Sequence, residues 1–341
     1  MKTNYPIIQQ RKAGVLTRAV RCLARGLGAC VIVGIVGLFA LSGLSTLQAQ
    51  EIDPNLKDPG LSFGLVADVS VIQPGKPFTL GMKLAYKPQW HTYWKSPGDV
   101  GIPPQLDLNL PKGWQAGPLL CQHPEVVKMF DITAWGHRGS ALHLMTITPP
   151  ASLSDAEVLL KGNGIWMVCG PTCHPNFQPM QIRLPVGEKA VPVPKQVAAF
   201  NKIREKQPVV CPAWAMSCHP IEGGEFGLLR LELRPLDLKA VHLVGAGAKD
   251  ASEVTKAAPY FFCSDAMIRS NAKQKLTRLE PTNRGQGDEV GLGAGFRLDL
   301  PVSEFAPENK TLLEGILVRE SGWLKDGACR SMLVRVRIET P

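Results

Sequence analysis

Cys169 and Cys173 are separated by three residues in the run Trp166-Met167-Val168-Cys169-Gly170-Pro171-Thr172-Cys173-His174-Pro175. Four residue steps along a straight strand span roughly 13 Å, whereas a disulfide needs Cα atoms within about 7 Å, so the two sulfurs meet only if the chain turns between them. Gly170-Pro171 supplies residues suited to that turn, because proline presets φ and glycine tolerates unusual φ. Two strand ends would then carry the thiols face to face. A structural disulfide, a pair of buried thiols, a redox-active pair and a metal-binding pair all satisfy this spacing.

Upstream, Trp90-His91-Thr92-Tyr93-Trp94-Lys95-Ser96-Pro97-Gly98-Asp99-Val100-Gly101-Ile102-Pro103 places three aromatics in five positions before a Pro-Gly-Asp turn. This reads as a strand running into a structured loop. Trp90 and Trp94 suit a core; His91, Tyr93, Trp94 and Asp99 are candidates to line or cap a site at the end of the sheet, with His174 beside the second cysteine. Cys211 to Cys218 ends in a second Cys-His-Pro, and a local structural disulfide between those two is expected. Cys263 and Cys329 fall on separate predicted strands and are candidates to pair across them, which leaves Cys121 as the odd thiol.

Copper is the competing chemistry, because thiolate and thioether ligands suit Cu(I). Met167, Cys169, Cys173, His174 and Met180 cluster in sequence, with His123, Met129, His143 and Met145 elsewhere in the first half. No Met-x-x-Met or His-x-His ladder accompanies them, and no metal site is assigned. A Gly-x-Ser-x-Gly elbow, a phosphate-binding Gly-Lys-Ser loop and His-Glu-x-x-His are all missing, and Gly291-x-Gly293-x-Gly295 lacks the strand-then-helix context of a dinucleotide loop. No cofactor is expected.

The N-terminal segment sets the expected compartment. Residues 1–49 hold six basic residues and no acid, then an uncharged apolar run from Gly28 to Leu47 and a small residue at Ala49. This is the pattern of an export signal, and the run is also long enough for an uncleaved anchor in the inner membrane. The periplasm follows as the expected location. Without this segment 32 of the 38 basic residues face 29 acidic ones, so the +9 formal charge is mostly the signal's. No basic face argues for nucleic acid. Seven cysteines remain, an odd number in a compartment that permits disulfides.

Two β-rich regions must position these residues. In the first, Phe63, Leu65, Ala67, Val69 and Val71 alternate with polar residues; Gln73-Pro74-Gly75-Lys76-Pro77 turns the chain, and Phe78, Leu80, Met82, Leu84 and Tyr86 repeat the period. Short strands are expected at 105–110, 141–148, 157–160, 165–168 and 180–186. Residues 195–206 give the one convincing helical stretch. Alternation resumes at Leu229, Leu231 and Leu233, with further strands at 241–244, 259–262, 295–300, 312–319 and 332–338. The expected fold is all-β, two tandem immunoglobulin-like sandwiches: 55–190 with the cysteine pair, a linker with a short helix over 191–222, and 223–341.

The Trp-His-x-Tyr-Trp and Pro-Gly-Asp segment, followed about seventy residues later by Cys169-x-x-x-Cys173-x-Pro175, resembles the N-terminal periplasmic domain of DsbD-type thiol:disulfide interchange proteins. It is most similar to their copper-sensitivity-suppressor relatives. The resemblance covers 61–186 specifically and the second half more weakly. It implies an immunoglobulin-like domain whose Cys169 and Cys173 pass electrons to or from periplasmic or membrane-bound thiol-disulfide proteins. Cys173 would be the point attacked by partners, the activity that of a thiol:disulfide oxidoreductase. The chain shows neither the family's multi-span membrane segment nor its thioredoxin domain, so reductant is expected from another protein. Copper tolerance, or an interaction domain with structural disulfides, is the alternative.

Overall fold

The computed structural model describes residues 59–241, 258–279 and 294–339; the expected export signal lies outside them. Strands dominate. The first sandwich pairs the sheet β1 (Ser62–Ala67), β3 (Phe78–Ala85), β9 (Ser140–Thr148), β6 (Gln115–Ala116) against a second sheet. That sheet runs β11 (Cys173–Pro185), β10 (Glu157–Cys169), β4 (His91–Tyr93), β8 (Ile132–Arg138), β7 (Glu125–Met129), with β5 (Gln105–Asn109) also on β10. β2 (Val69–Val71) and β12 (Val191–Pro192) make a short ribbon beside them. Leu80, Met82, Leu84, Trp90, Leu160, Trp166 and Val168 fill the space between the sheets.

The alternation expected for 61–71 and 78–86 appears as β1, β2 and β3. The two short strands expected at 157–160 and 165–168 are instead one thirteen-residue strand, β10, paired along its whole length with β11. Lys161-Gly162-Asn163-Gly164 resembles a turn in sequence, but both glycines make room. A Cβ on Gly162 would meet the Asp107 carbonyl oxygen of β5 at 2.2 Å, and one on Gly164 would meet the Met180 side chain at 2.8 Å. β7 and β8, which periodicity did not find, join through Phe130 at φ 54°.

Helix α1 (Pro194–Glu205) begins with proline in its first turn and packs on the first sandwich. Phe200 is buried against Gly81 of β3, and the Arg204 guanidinium donates to Thr79 Oγ1 at 2.6 Å. Val209 then bridges to Met332. The second sandwich stacks β13 (Trp214–Ile221), β14 (Leu228–Pro235), β17 (Gly295–Pro301), β16 (Lys275–Leu279) on β15 (Tyr260–Cys263), β18 (Leu312–Val318), β19 (Ser331–Arg337). β13 lies inside the span expected as linker, because its buried residues, Trp214 and Cys218, are four apart with only partly buried Met216 between them, and Pro220 follows, which hides the period. Both halves are immunoglobulin-like sandwiches. Their cores touch: Trp94 and Trp135 of the first lie among the core residues of the second, with ring centroids 6.4 Å and 5.9 Å from Phe262.

Candidate functional site

β10 and β11 form a long hairpin whose tip is Gly170-Pro171-Thr172, closed by the Gly170 N–H donating to the Thr172 carbonyl at 2.9 Å. The register puts Cys169 directly opposite Cys173, Cα atoms 4.2 Å apart, and the two are disulfide-bonded. Thus the turn demanded by the spacing is present. Burial distinguishes the sulfurs' residues: Cys169 is fully buried, whereas Cys173 is partly exposed.

On the other side of β10, Cys169 pairs with His91 of β4. His91 and Tyr93 are two residues apart and so share a face, their rings edge-on at 5.3 Å. Thr92, pointing the other way, donates its hydroxyl to the Met167 carbonyl at 2.8 Å and ties β4 to β10. Tyr93, Val127, Ala134, Met167 and Cys169 form one buried cluster, with Cys173 and the loop residues Val100 and Ile102 packed against it. Residues of the 94–104 loop therefore pack on the cluster that holds Cys169. Gly101, at φ 114°, lies flat on the Tyr93 ring, where a Cβ would come within 2.3 Å.

Burial, with a smaller contribution from Arg138, pushes the His91 imidazole down to about 4, and burial pushes the Tyr93 phenol up to about 12. Both groups are neutral at physiological pH, so the wall beside the disulfide carries no charge. His91 Nε2 and Tyr93 OH have no hydrogen-bond partner among the described residues. Leaving such a buried group unsatisfied costs about 1–3 kcal/mol.

The other expected cap residues divide. Asp99 belongs to the loop, and its carboxylate accepts from the Asn271 N–H at 3.0 Å. Trp94 instead faces Phe262 between the two sandwiches. His174 turns to the opposite side of β11 from Cys173: its ring packs on Trp90 at 5.4 Å and its Nε2 shares a hydrogen bond with Thr172 Oγ1 at 2.8 Å. Strand alternation separates it from its neighbour in sequence. Val100, Ile102 and Thr92 complete the site and were not singled out from sequence; the glycines of the 94–104 loop are the signal that pointed there.

The remaining cysteines are not paired as expected. Cys211 and Cys218 are separate buried thiols, and Cys329 lies beside Cys211, not Cys263. Cys263 Sγ donates to Asp265 Oδ1 at 3.2 Å. A tight turn, in which the Trp214 N–H donates to the Cys211 carbonyl, starts β13 and carries Cys218 away along the strand. Burial pushes the Cys121, Cys218, Cys263 and Cys329 thiols up to about 12, in Cys329 with help from the adjacent Cys211. The sequence cluster proposed for copper is split by the sheet: Met167 packs beside Cys169, while Met180 sits in the core on the other face. Among the described residues no group of three or more His, Cys, Asp or Glu side chains converges to hold a metal ion. Nor is any helix among them long and apolar enough to cross a membrane.

No curated protein sequence matches the chain. Among solved structures, the N-terminal periplasmic domain of ScsB from Proteus mirabilis is similar at 14% identity and a TM-score of 0.48, covering 81% of this chain and 92% of that one. The periplasmic chaperone SfaE follows at 8% identity and a TM-score of 0.18, covering 82% and 100%. Residues 63–185 match the family model described as thiol:disulfide interchange protein DsbD, N-terminal. That span begins in β1 and ends with β11, taking in the disulfide hairpin, its β4 neighbour and the loop over both. What the chain is similar to over residues 63–185 is thus the N-terminal domain of the DsbD thiol:disulfide interchange proteins.

Proposed function

We propose that the first sandwich exchanges electrons with partner thiol-disulfide proteins through Cys169 and Cys173, in an exported, periplasmic setting. The single observation behind this reading is the unequal exposure of a disulfide held at a hairpin tip under an apolar loop.

The exchange balances as follows. A partner thiolate attacks Cys173 Sγ, the more accessible sulfur; the Cys169–Cys173 bond breaks, a mixed disulfide forms, and Cys169 leaves as a thiolate that takes up a proton. The partner's second thiolate then attacks its own sulfur in the mixed disulfide and releases Cys173. Two electrons and two protons reach this chain, and the partner becomes the disulfide. Run backwards, the Cys169/Cys173 dithiol reduces a partner disulfide. No cofactor enters either direction. Neutral His91 and Tyr93 keep water and small thiols from the buried sulfur without offering a charge that would bind them.

A Cys169→Ser variant leaves Cys173 without its resolving partner and is expected to accumulate mixed disulfides. The Cys121, Cys218, Cys263 and Cys329 thiols are poor competitors because burial keeps them protonated. The wild-type pair should show a potential above about −300 mV, the range below which structural disulfides fall. A lower potential with no captured partner would overturn the proposal.

A further inference from the structure

The loop over the disulfide is not anchored by its own sandwich alone. Ser96 Oγ donates to the Asp265 carbonyl at 3.0 Å, and the Asp99 N–H donates to Ser270 Oγ at 2.9 Å. The Asn271 N–H donates to Asp99 Oδ2 at 3.0 Å. Ser270 passes the connection on, its hydroxyl donating to the Thr133 carbonyl at 2.7 Å, while the Thr133 N–H donates to Asn271 Oδ1 at 2.8 Å. Gly98, at φ 89°, is where the two segments touch: a Cβ there would meet Ser270 Oγ at 2.1 Å. On the first sandwich's side the Pro97 carbonyl accepts from the Trp135 N–H at 2.9 Å, and Trp135 Nε1 donates to Tyr260 OH at 3.2 Å.

The segment that grips the loop is itself fixed. Asp265 accepts from the Met267 N–H at 2.9 Å and from Cys263 Sγ, and it is ion-paired with Lys310. Ser303 N–H donates to the Met267 carbonyl and Arg269 N–H to the Pro301 carbonyl, both at 2.9 Å, so the 264–271 segment is bonded to the end of β17. A hydrogen-bonded part of the second sandwich therefore holds residues 96–99, and the next residues, Val100 to Ile102, pack on Tyr93 and on the buried cluster that includes Cys169.

We infer that Ser270, with Asn271 and the Asp265 backbone, positions the lid: the second sandwich sets how often the loop over the Cys169–Cys173 disulfide opens to a partner thiol. This rests on the exchange reading for its purpose, but its physical content is the opening equilibrium of the loop. A partner that reached the disulfide would have to displace the loop, and its contacts at 96–99 are the ones it would break first.

The test pairs Ser96→Ala/Ser270→Ala with Ser96→Ala alone, in the full chain. Hydrogen exchange of the 98–103 amides and the rate of Cys169–Cys173 reduction by dithiothreitol are measured for each. The double variant should raise both by about tenfold, the single variant by less, each hydrogen bond being worth a few-fold in the opening equilibrium. Exchange in β14 and β17 should not change, which separates a freed lid from a loosened fold. If loop exchange and reduction rate stay at wild-type values while the double variant folds, or if protection falls equally in β14, the inference is wrong. Failure to capture a partner with Cys169→Ser would sink the exchange reading and leave this result intact.

Discussion

His143 is buried on β9, its ring 5.5 Å from that of His137, with Nδ1 accepting from the Gln122 N–H at 3.4 Å. Burial pushes its imidazole down to about 4, and His91 and His137 are displaced the same way for the same first cause. A histidine held neutral in the fold binds its proton more readily once unfolded. Its contribution to stability is therefore complete above pH 6.5 and is lost as pH falls from 6.5 toward 4, on the order of 3 kcal/mol for His143 by the end of that window. His143→Gln keeps an acceptor for Gln122 and removes the titration. Denaturant melts between pH 7 and 4 should show the variant losing stability with a slope shallower by about one proton; an unchanged slope would mean that His143 takes up its proton as readily in the fold as in the unfolded chain. None of this was readable from the sequence, where a histidine on an alternating strand looks the same whether its ring faces water or another buried ring.

At the scale of elements, what the sequence revealed was the period of two, and what it hid was every place where backbone meets backbone. β1 and β3 were legible because Phe63, Leu65 and Ala67 in the one and Phe78, Leu80, Met82 and Leu84 in the other recur at every second position. β10 was legible only in part, since Gly162 and Gly164 look like chain breaks until β5 and Met180 are seen to fill the space a side chain would take. β10 carries Cys169 to its place, so this close approach matters to the site. Gly162→Ala should cost about 1–3 kcal/mol, the usual range for overpacking, because the new methyl must displace the Asp107 carbonyl and with it the β5 pairing. The midpoint of urea unfolding reports it. The hairpin itself was the best-read element, because Gly170-Pro171 between the cysteines supplies the turn that their spacing demands, while the approach of the free thiols Cys211 and Cys329 joins segments that share no local pattern.

Across the whole molecule, the decisive contacts join residues far apart in sequence: Ser96 with Asp265, Asp99 with Ser270 and Asn271, Trp135 with Tyr260. No periodicity reports such pairs, which is why Trp94 read as a cap residue and is instead a boundary residue between the sandwiches. Phe262 is the hub of that boundary, fully packed by Trp94, Trp135, Tyr260 and His123, with ring centroids 4.8–6.4 Å away. Removing its ring should do two things at once. Phe262→Ala should lose about 3–5 kcal/mol, the usual cost of deleting a buried aromatic. It should also uncouple the halves, so that a thermal unfolding trace with one transition in the wild type divides into two. Because the lid is tethered across the same boundary, reduction of Cys169–Cys173 by dithiothreitol should quicken in this variant even below the first transition. A single, merely shifted transition with an unchanged reduction rate would mean that the two sandwiches are coupled through α1 and the 207–213 segment instead of through this aromatic contact.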